Sequence, residues 1–428
     1  MSARTLAGWL EFIGRQHPDA IALGLDRVRA VMARMSVAID CPVFTVSGTN
    51  GKGSVCAYLE CILRASGRRV GLYTSPHLLR YNERVRIDAR EAPDERLCES
   101  FAAVERARRD VPLTYFEFGT LGALWLFARE RLDALVLEVG LGGRLDAVNV
   151  LDTNCAVLTS VALDHTEFLG ATREAIGREK AGIFRAGRPA IVAEPEPPAT
   201  VLQEVERIGA LAQLIGRDFG YRAQAGQWDY WGAGGRRVGL AYPALRGARQ
   251  LRNAAAALTA LDALRERLPI AMQDVRRGLA EVTLPGRFQV LPGRPQVILD
   301  VAHNPEAAQG LAESLAAAGY APETIAVFGM LRDKDIGAVA RAVAPRITRW
   351  HLASLPGPRG ASASDVASLL ASAGVAQPCT QHASAASAFA AAMSEAGEND
   401  KIVAFGSFLT VAEVMQALAA RGGREPHG

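Results

Sequence analysis

The sequence predicts an α/β protein of two domains, and three observations support this prediction. Short apolar segments typical of buried strands alternate with segments of helical period along most of the chain. The 428 residues exceed the usual length of one domain, and 49% hydrophobic with 22% charged residues is an ordinary globular composition. Proline and glycine are densest at 284–287 and 291–295, where we place the domain junction.

The N-terminal half begins with a strand, a glycine-rich turn and a helix. A run of β-branched and aromatic residues starts at Val43, the helix follows from Ser54 to Ala65, and a second strand covers 69–74. Later segments predict a helix at 116–131, strands at 134–139 and 156–160, an irregular β-hairpin at 219–247 and a helix at 251–268. We assign residues 1–285 to this domain.

Beyond the junction the alternation of strands and helices starts again. We predict strands at 296–300, 324–329, 350–353 and 401–405, and helices at 306–318, 336–343, 364–373, 384–396 and 410–420. Such an order is typical of a parallel sheet covered by helices. Residues 286–428 are therefore expected to form a second, smaller α/β domain.

Charge and cysteine content exclude several classes of partner. The net charge of +3 is spread along the chain without a basic tail, which argues against nucleic acid. Six cysteines without C-x-x-C spacing, and the lack of a secretory start, predict reduced thiols in the cytoplasm. No apolar stretch reaches the roughly 18 residues of a membrane span. We therefore expect a cytoplasmic monomer that acts on small molecules.

The turn Gly48-Thr49-Asn50-Gly51-Lys52 has the composition of a phosphate-binding loop. Backbone N–H groups of such a turn, with the N-terminus of the next helix, can bind phosphate oxygens, and Lys52 can reach a β- or γ-phosphate. The pattern departs from the strict Walker motif, since Val46 replaces its first glycine and Gly53 follows the lysine. A structural turn with a surface lysine is the alternative.

Lysine is rare in this chain. Only Lys52, Lys180, Lys334 and Lys401 occur among 48 basic residues, so that 48 − 4 = 44 are arginines. A lysine that persists in such a background is a candidate for a role that needs a compact ammonium or an amine that can lose its proton. Chance retention is the alternative, above all for Lys401.

Two further polar positions follow apolar strands. Glu138 ends a strand that precedes three glycines, and His165 follows the next strand. A buried carboxylate without a partner costs several kcal/mol, so a divalent cation near the phosphates is the natural partner of Glu138, and a hydrogen-bonded core carboxylate is the alternative. A lone histidine is more often structural, and as a ligand it would suit Mn²⁺ as well as Mg²⁺.

Other strand ends also carry polar residues. Lys180 near a predicted helix end is either a phosphate contact or a modified ligand, while Asp300 to Asn304 and Ser407 follow strands of the second domain.

The sequence contains no G-x-S-x-G motif, and no cysteine and histidine spacing that favours a hydrolase or a zinc site. The chemistry is therefore expected to centre on phosphate.

Four segments occur together in an order that identifies a family. They are Gly48–Ser54, Tyr73–Leu78, Glu138–Asp146 and Asp300–Pro305. With them the chain resembles folylpolyglutamate synthase/dihydrofolate synthase, a family grouped with the Mur ligases, from about Leu23 to Phe408. The resemblance implies an N-terminal P-loop ATPase domain with a mostly parallel sheet, a smaller Rossmann-like C-terminal domain, and ATP-dependent amide synthesis through an acyl phosphate.

The resemblance also implies roles for residues around the phosphate loop. The ATP contacts would be Thr49, Asn50, Gly51, Lys52, Asn253, Arg287 and Asp300. The magnesium ligands would be Ser75, Glu138 and His165, for one or two Mg²⁺ ions, with K⁺ as an additional ion. Lys180 would carry a carbamate, which turns an amine into an oxygen ligand. Lys52, Lys180, His165 and Glu138 would form the catalytic group, and ATP contacts in both domains would require domain closure.

Substrate contacts follow from the resemblance in the same way. Those for dihydropteroate and reduced folates would be Thr114, Tyr115, Phe116, Glu117, Leu145, Asp146, Ala147, Ile21, Ala22 and Leu23. His303 and Ser407 would contact L-glutamate. Without the resemblance, packing at a helix start is the simpler interpretation of Tyr115 and Phe116.

The leading hypothesis is a bifunctional ligase that joins glutamate to dihydropteroate and then extends reduced folates. A ligase with only the second activity is the alternative within the family. A Mur-type ligase for a cell-wall nucleotide would need a UDP-binding domain, and only about forty residues precede the phosphate loop. A nucleotide-dependent switch would leave the Asp300 to His303 cluster unexplained.

Overall fold

The computed structural model describes residues 4–422 and divides them into two compact units. Unit 1 runs to Ala244 and resumes over Leu251–Val282, and unit 2 comprises Leu245–Gln250 and the chain from Thr283 onward. Both units combine parallel strands with helices, so the predicted α/β class is confirmed. No helix within 4–422 is long and apolar enough to cross a membrane.

Unit 1 is built on an eight-stranded sheet with the strand order β4-β3-β2-β5-β1-β6-β7-β8. The strands are β1 (Val43–Ser47), β2 (Val70–Tyr73), β3 (Val85–Ile87), β4 (Arg90–Glu91), β5 (Ala134–Glu138), β6 (Cys155–Leu158), β7 (Pro189–Val192) and β8 (Leu211–Leu214). All pairs are parallel except those made by β3 and β4. The carboxyl ends of β2, β5, β1 and β6 therefore meet at one edge, where parallel sheets place ligands.

Ten helices accompany this sheet in the described chain. They are α1 (Leu6–Ile13), α2 (Asp26–Met32), α3 (Lys52–Ala65), α4 (Asp94–Arg108), α5 (Tyr115–Phe127), α6 (Thr166–Leu169), α7 (Arg173–Ala181), α8 (Ala199–Ile208), α9 (Gln250–Ala263) and α10 (Met272–Glu281). The central strand β1 is buried at all five positions because apolar side chains cover both of its faces. The glycine-rich turn that follows β1 therefore begins at the centre of the unit's sheet.

The segment predicted as an irregular hairpin is an antiparallel sheet of three strands. They are β9 (Gly220–Gln224), β10 (Gln227–Gly232) and β11 (Gly235–Ala241). Trp228 and Tyr230 are fully buried, and the Tyr230 hydroxyl donates to Asp262 of α9 at 2.9 Å. The sheet is therefore packed onto α9 of the helical layer.

Unit 2 is a six-stranded sheet with the order β12-β13-β17-β14-β15-β16, parallel apart from β12. Its strands are β12 (Gln289–Leu291), β13 (Gln296–Leu299), β14 (Thr324–Phe328), β15 (Arg349–Ala353), β16 (Cys379–His382) and β17 (Lys401–Phe405). Its helices are α11 (Pro305–Ala317), α12 (Ile336–Val343), α13 (Ala363–Ser372), α14 (Ala385–Glu395) and α15 (Phe408–Gly422). The strand β16 was not predicted, because this edge strand is largely exposed and lacks an apolar pattern.

One of the four lysines has a structural role in this unit. Lys401 is 6% exposed, and its ammonium donates to the carbonyl oxygens of Ala318 and Gly319, at 2.9 and 2.6 Å. These carbonyls lie just beyond the C-terminal end of α11, where a helix lacks internal donors and favours a cation. Lys401 therefore has a structural role of its own, and chance is not needed to explain why a lysine occurs at this position.

Candidate active site

The glycine-rich turn joins β1 to α3, as its pattern predicts. Gly51 has φ +89°, which favours glycine, and a Cβ there would come within 2.7 Å of Asn253 Oδ1. Lys52 is the first residue of α3, and its Nζ donates to the carbonyl oxygens of Gly48 and Thr49 at 3.0 and 3.3 Å. The first N–H groups of α3 have no partners within the helix, so this turn has the donors that an anion needs.

The turn is held in place by the chain that leaves β6. The Thr49 hydroxyl donates to Ala162 O at 3.2 Å and accepts from Ala162 N at 3.0 Å. Asn50 N donates to the Ser160 hydroxyl at 3.0 Å, and the Thr159 hydroxyl donates to Asn50 O at 2.7 Å. The Thr49 side chain, predicted to contact ATP, thus connects the phosphate loop to the segment that follows β6.

Glu138 ends β5 and is 3% exposed. One carboxylate oxygen, Oε2, accepts from the Thr74 hydroxyl and from Ser75 N, the latter at 3.3 Å. Across the described residues, no protein donor is paired with the other oxygen, Oε1. This arrangement brings Ser75 and Glu138 together, and a buried anionic oxygen fits the donor set of a hard divalent cation.

His165 is placed by a separate group of contacts that the sequence did not indicate. Arg173 Nε donates to Val161 O at 2.9 Å, and Val161 N donates to Glu194 Oε2 at 2.8 Å. Arg173 and Glu194 are themselves an ion pair at 3.5 Å. This pair holds both backbone groups of Val161, so it fixes the segment that leads to His165. That histidine is the N-cap residue of α6, with φ +50°.

Lys180 lies in the last turn of α7 and is 4% exposed. A Cβ at Gly143 would come within 2.7 Å of Lys180 O, and Arg144 N donates to Glu179 O at 2.8 Å. The glycine loop after Glu138 is therefore packed directly against the turn that carries this lysine. Burial of an ammonium is unfavourable unless it is paired or neutralised, which is consistent with either interpretation of Lys180 given above.

Three segments that were predicted to bind the acceptor substrate are linked by hydrogen bonds of Arg27 and Gly24. The Arg27 guanidinium pairs with Glu117 at 2.9 Å and donates to Ala22 O at 2.6 Å. The next turn is joined to a third segment, since Gly24 N donates to Leu145 O at 3.2 Å. Ile21 to Leu23, the start of α5 and Leu145 to Ala147 thus lie together, and the sequence analysis did not indicate that Arg27 links two of them.

The polar side chains at the start of α5 also have a structural role. Thr114 and Glu117 form a capping box, in which Glu117 N donates to Thr114 Oγ1 and Thr114 N donates to Glu117 Oε2. The rings of Tyr115 and Phe116 pack against Tyr81 and Tyr73, with centroids 6.0 and 5.9 Å apart. These contacts support packing at the helix start and leave a half-buried aromatic surface beside the glycine loop.

Asp146 is buried beside this surface. Its carboxylate accepts from Leu141 N at 2.8 Å and from Val148 N at 3.0 Å, so it caps the short 3₁₀ turn Ala147–Val150. Burial raises the pKa of Asp146 to about 7, although these backbone donors and the charge of Lys52 oppose the rise. The carboxyl group therefore changes its charge near neutral pH.

The second group of predicted residues lies at the carboxyl ends of β13 and β17 in unit 2. The Asp300 carboxylate accepts from Phe288 N and Ala302 N, both at 2.8 Å, and burial raises its pKa. His303 Nδ1 is 2.8 Å from Val301 O. The Arg287 guanidinium lies 5.6 Å from the Phe408 ring, and buried Ser407 accepts from Leu409 N at 3.2 Å. Arg287, Asp300, His303 and Ser407 thus surround one end of this sheet.

Comparison with known proteins identifies the family. The Mur ligase middle domain matches residues 46–207, and the Mur ligase glutamate ligase domain matches 286–408. The dihydrofolate synthase/folylpolyglutamate synthase of Escherichia coli is 46% identical over 421 residues, which cover 98% of this chain and 97% of that protein. The chain belongs to the dihydrofolate synthase/folylpolyglutamate synthase family.

Solved structures of this family agree with the assignment. Escherichia coli FolC in complex with DHPP and ADP matches with a TM-score of 0.93 and 47% identity, over 98% of this chain and 99% of that chain. A bifunctional folylpolyglutamate synthase/dihydrofolate synthase with Mn, AMPPNP and L-glutamate bound matches with a TM-score of 0.89 and 44% identity, over 97% and 98%. The resemblance based on four motifs is thereby confirmed.

Proposed function

We propose that this protein is an ATP-dependent ligase that joins L-glutamate to dihydropteroate and adds further glutamates to reduced folates. The observation that carries the proposal is the assembly at one sheet edge of unit 1. A phosphate loop, a buried carboxylate at Glu138, the buried Lys180 and the acceptor segments around Asp146 all follow the carboxyl ends of its central strands. Phosphate transfer to a carboxylate of an acceptor with aromatic rings explains why these groups lie together.

The reaction begins when a carboxylate oxygen of the acceptor attacks the γ-phosphorus of ATP, which releases ADP and forms an acyl phosphate. The amino group of glutamate then adds to the acyl carbon, loses a proton, and expels inorganic phosphate as the amide forms. A free carboxylate resists such attack because it is anionic and lacks a good leaving group. The protein's contribution is to position the reactants and neutralise phosphate charge, a role that suits Lys52 and the N-terminus of α3.

Ser75, Glu138 and His165 would hold the divalent cation, with a carbamate on Lys180 as a further oxygen ligand. The buried Glu138 carboxylate fits such a cation, since its Oε1 has no protein donor among residues 4–422. When bound, the cation would withdraw charge from the phosphate oxygens. Oxygen ligands favour Mg²⁺, and the resemblance adds K⁺.

Unit 2 would contribute Arg287 and Asp300 to the nucleotide, and His303 and Ser407 to glutamate. In this proposal the substrates are small molecules, and neither nucleic acid nor a membrane takes part. All six cysteines are free thiols, which supports the cytoplasm as the location. We expect a monomer.

The test is phosphate release from ATP by the purified protein with Mg²⁺, K⁺ and glutamate. Dihydropteroate and tetrahydrofolate are compared as acceptors, and the amide products are confirmed by mass. Release with both acceptors supports the bifunctional ligase. Release with tetrahydrofolate alone supports a folylpolyglutamate synthase, and release with neither contradicts the proposal.

The ionisation of Asp146 should be visible in acceptor binding. An ionised carboxylate accepts hydrogen bonds from the N–H groups of a pterin more strongly than a carboxylic acid does. Because the pKa of Asp146 is about 7, we expect the KM for dihydropteroate to fall between about pH 6 and about pH 8. In Asp146→Asn the KM should be higher at pH 8 and no longer follow this titration. An unchanged pH profile in this variant would show that another group controls binding.

The Arg173 and Glu194 pair should matter for the cation. Arg173→Met removes the donor to Val161 O, so the segment leading to His165 loses one of its two anchors. We expect the Mg²⁺ concentration needed for half-maximal activity to rise about tenfold, roughly the loss of one hydrogen bond to a charged group. Arg178→Met is a control, since the exposed Arg178 side chain is paired with Glu204 only at the 4.0 Å limit. If both variants needed the same Mg²⁺ concentration for half-maximal activity, the pair of Arg173 and Glu194 would have no role in positioning His165.

A further inference from the structure

One arginine near the acceptor site has no anionic partner. Arg84 ends a 3₁₀ turn, Tyr81–Arg84, in the loop between β2 and β3. Its Nε donates to His77 Nδ1 at 2.8 Å, and its guanidinium lies 5.5 and 5.6 Å from the rings of Tyr81 and Tyr115. Over residues 4–422, no carboxylate lies within 4 Å of this half-buried side chain, and neither terminal nitrogen donates to a protein group.

Two other half-buried arginines near the same end of the chain, Arg86 and Arg27, are paired. Arg86, two residues further along the chain, pairs with Glu60 at 2.6 Å, and Arg27 pairs with Glu117 at 2.9 Å. A guanidinium that is partly removed from water gains most from a carboxylate or phosphate that accepts two of its N–H groups. Arg84 therefore has the surroundings of an ion pair whose anionic member comes from outside the chain.

The loop is built to hold Arg84 in one place. The Glu83 carboxylate accepts from three successive backbone N–H groups, at Leu78, Leu79 and Arg80, with distances of 2.6, 2.7 and 2.7 Å. Thr74 N donates to Arg84 O at 2.9 Å, so the end of the loop returns to the residue before Ser75. Arg84 is thus anchored between Ser75, at the carboxyl end of β2, and Tyr115, at the start of α5.

We infer that Arg84 binds the α-carboxylate of a folate acceptor and so separates the two activities of the proposed ligase. This inference rests on the proposed function. Dihydropteroate has a single carboxylate, which the reaction consumes, whereas a folate also has an α-carboxylate that stays ionised beside the reacting γ-carboxylate. A site lined by aromatic rings accepts that second charge only with a cation beside it. Arg84 is the cation placed between the aromatic rings and Ser75.

The test compares Arg84→Gln with the unchanged protein on two acceptors, at saturating ATP and glutamate. The KM for tetrahydrofolate should rise about 30-fold, as expected for the loss of a charge-assisted pair, while the KM for dihydropteroate changes less than about threefold. Arg84→Lys should recover part of the loss. Arg86→Gln is the matched control, because loss of its pair with Glu60 should lower the melting temperature and affect both acceptors equally.

A third acceptor tests the inference even if the protein has only the folylpolyglutamate synthase activity. A tetrahydrofolate whose α-carboxylate is converted to an amide should have a raised KM with the unchanged protein, similar to that of tetrahydrofolate with Arg84→Gln. The Arg84→Gln substitution should not raise the KM for this amide any further. Equal losses with both natural acceptors, no loss with either, or a further loss with the amide would each overturn the inference. Inactivity of the unchanged protein with every acceptor would instead contradict the proposed function.

Discussion

Replacement of Lys52 by methionine should lower kcat/KM for ATP by about 10³-fold, which corresponds to about 4 kcal/mol of transition-state stabilisation. Methionine keeps the length and the apolar stem of lysine but removes the charge. The Lys52 ammonium now donates to two carbonyl oxygens of its own loop, and phosphate oxygens would replace these weaker acceptors when ATP binds. Steady-state phosphate release with varied ATP measures the effect.

Lys401 provides a matched control for this substitution. It too donates to two backbone carbonyls, but those carbonyls belong to Ala318 and Gly319 in unit 2. Lys401→Met should lower the melting temperature, because it leaves carbonyl groups without their donor, and should leave the activity of the folded protein nearly unchanged. If Lys52→Met also lost only stability, the phosphate loop would have a structural role.

Replacement of Lys180 by alanine should lower kcat by at least about 10²-fold while ATP binding persists. The result itself would not identify the chemical form of Lys180, because an ammonium and a carbamate would both be lost. Rescue by small molecules separates the two forms. Acetate or formate should restore part of the activity if the side chain acts as a carboxylate-like oxygen ligand.

Methylammonium is the control for this rescue. If methylammonium restores activity and acetate does not, Lys180 acts as a cation, and the carbamate assignment is wrong. Lys180→Arg is a further test, because arginine keeps the positive charge but cannot form a carbamate under these conditions. We expect this variant to be as inactive as Lys180→Ala.

The parts of the site that could be predicted depend on neighbouring residues in the sequence. A strand, a glycine-rich turn and a helix form a local pattern around Lys52, and Glu138 stands out because a charge ends an apolar strand. Contacts between distant segments give no such local signal. Arg27 and Glu117 are 90 positions apart, and Glu194 reaches Val161 across 33, so these partners appeared only in the structure.

One structural role was visible in the sequence but was not recognised. Thr114 and Glu117 have the spacing of a capping box, which by itself indicates a helix N-terminus at Tyr115. The prediction started this helix at 116 and gave both residues only a substrate role. Among the strands, β16 was missed because pairing with β15, and not an apolar period, keeps it in the sheet.

The hydrogen bonds between the phosphate loop and the chain after β6 have a thermodynamic consequence. Thr49 and Asn50 are bonded to Ser160 and Ala162, so order imposed on one segment is shared by the other. If His165 holds the proposed cation, a nucleotide that rigidifies the loop would lower the entropy lost when that cation binds. Such linkage is reciprocal, so each ligand must raise the affinity for the other by the same factor.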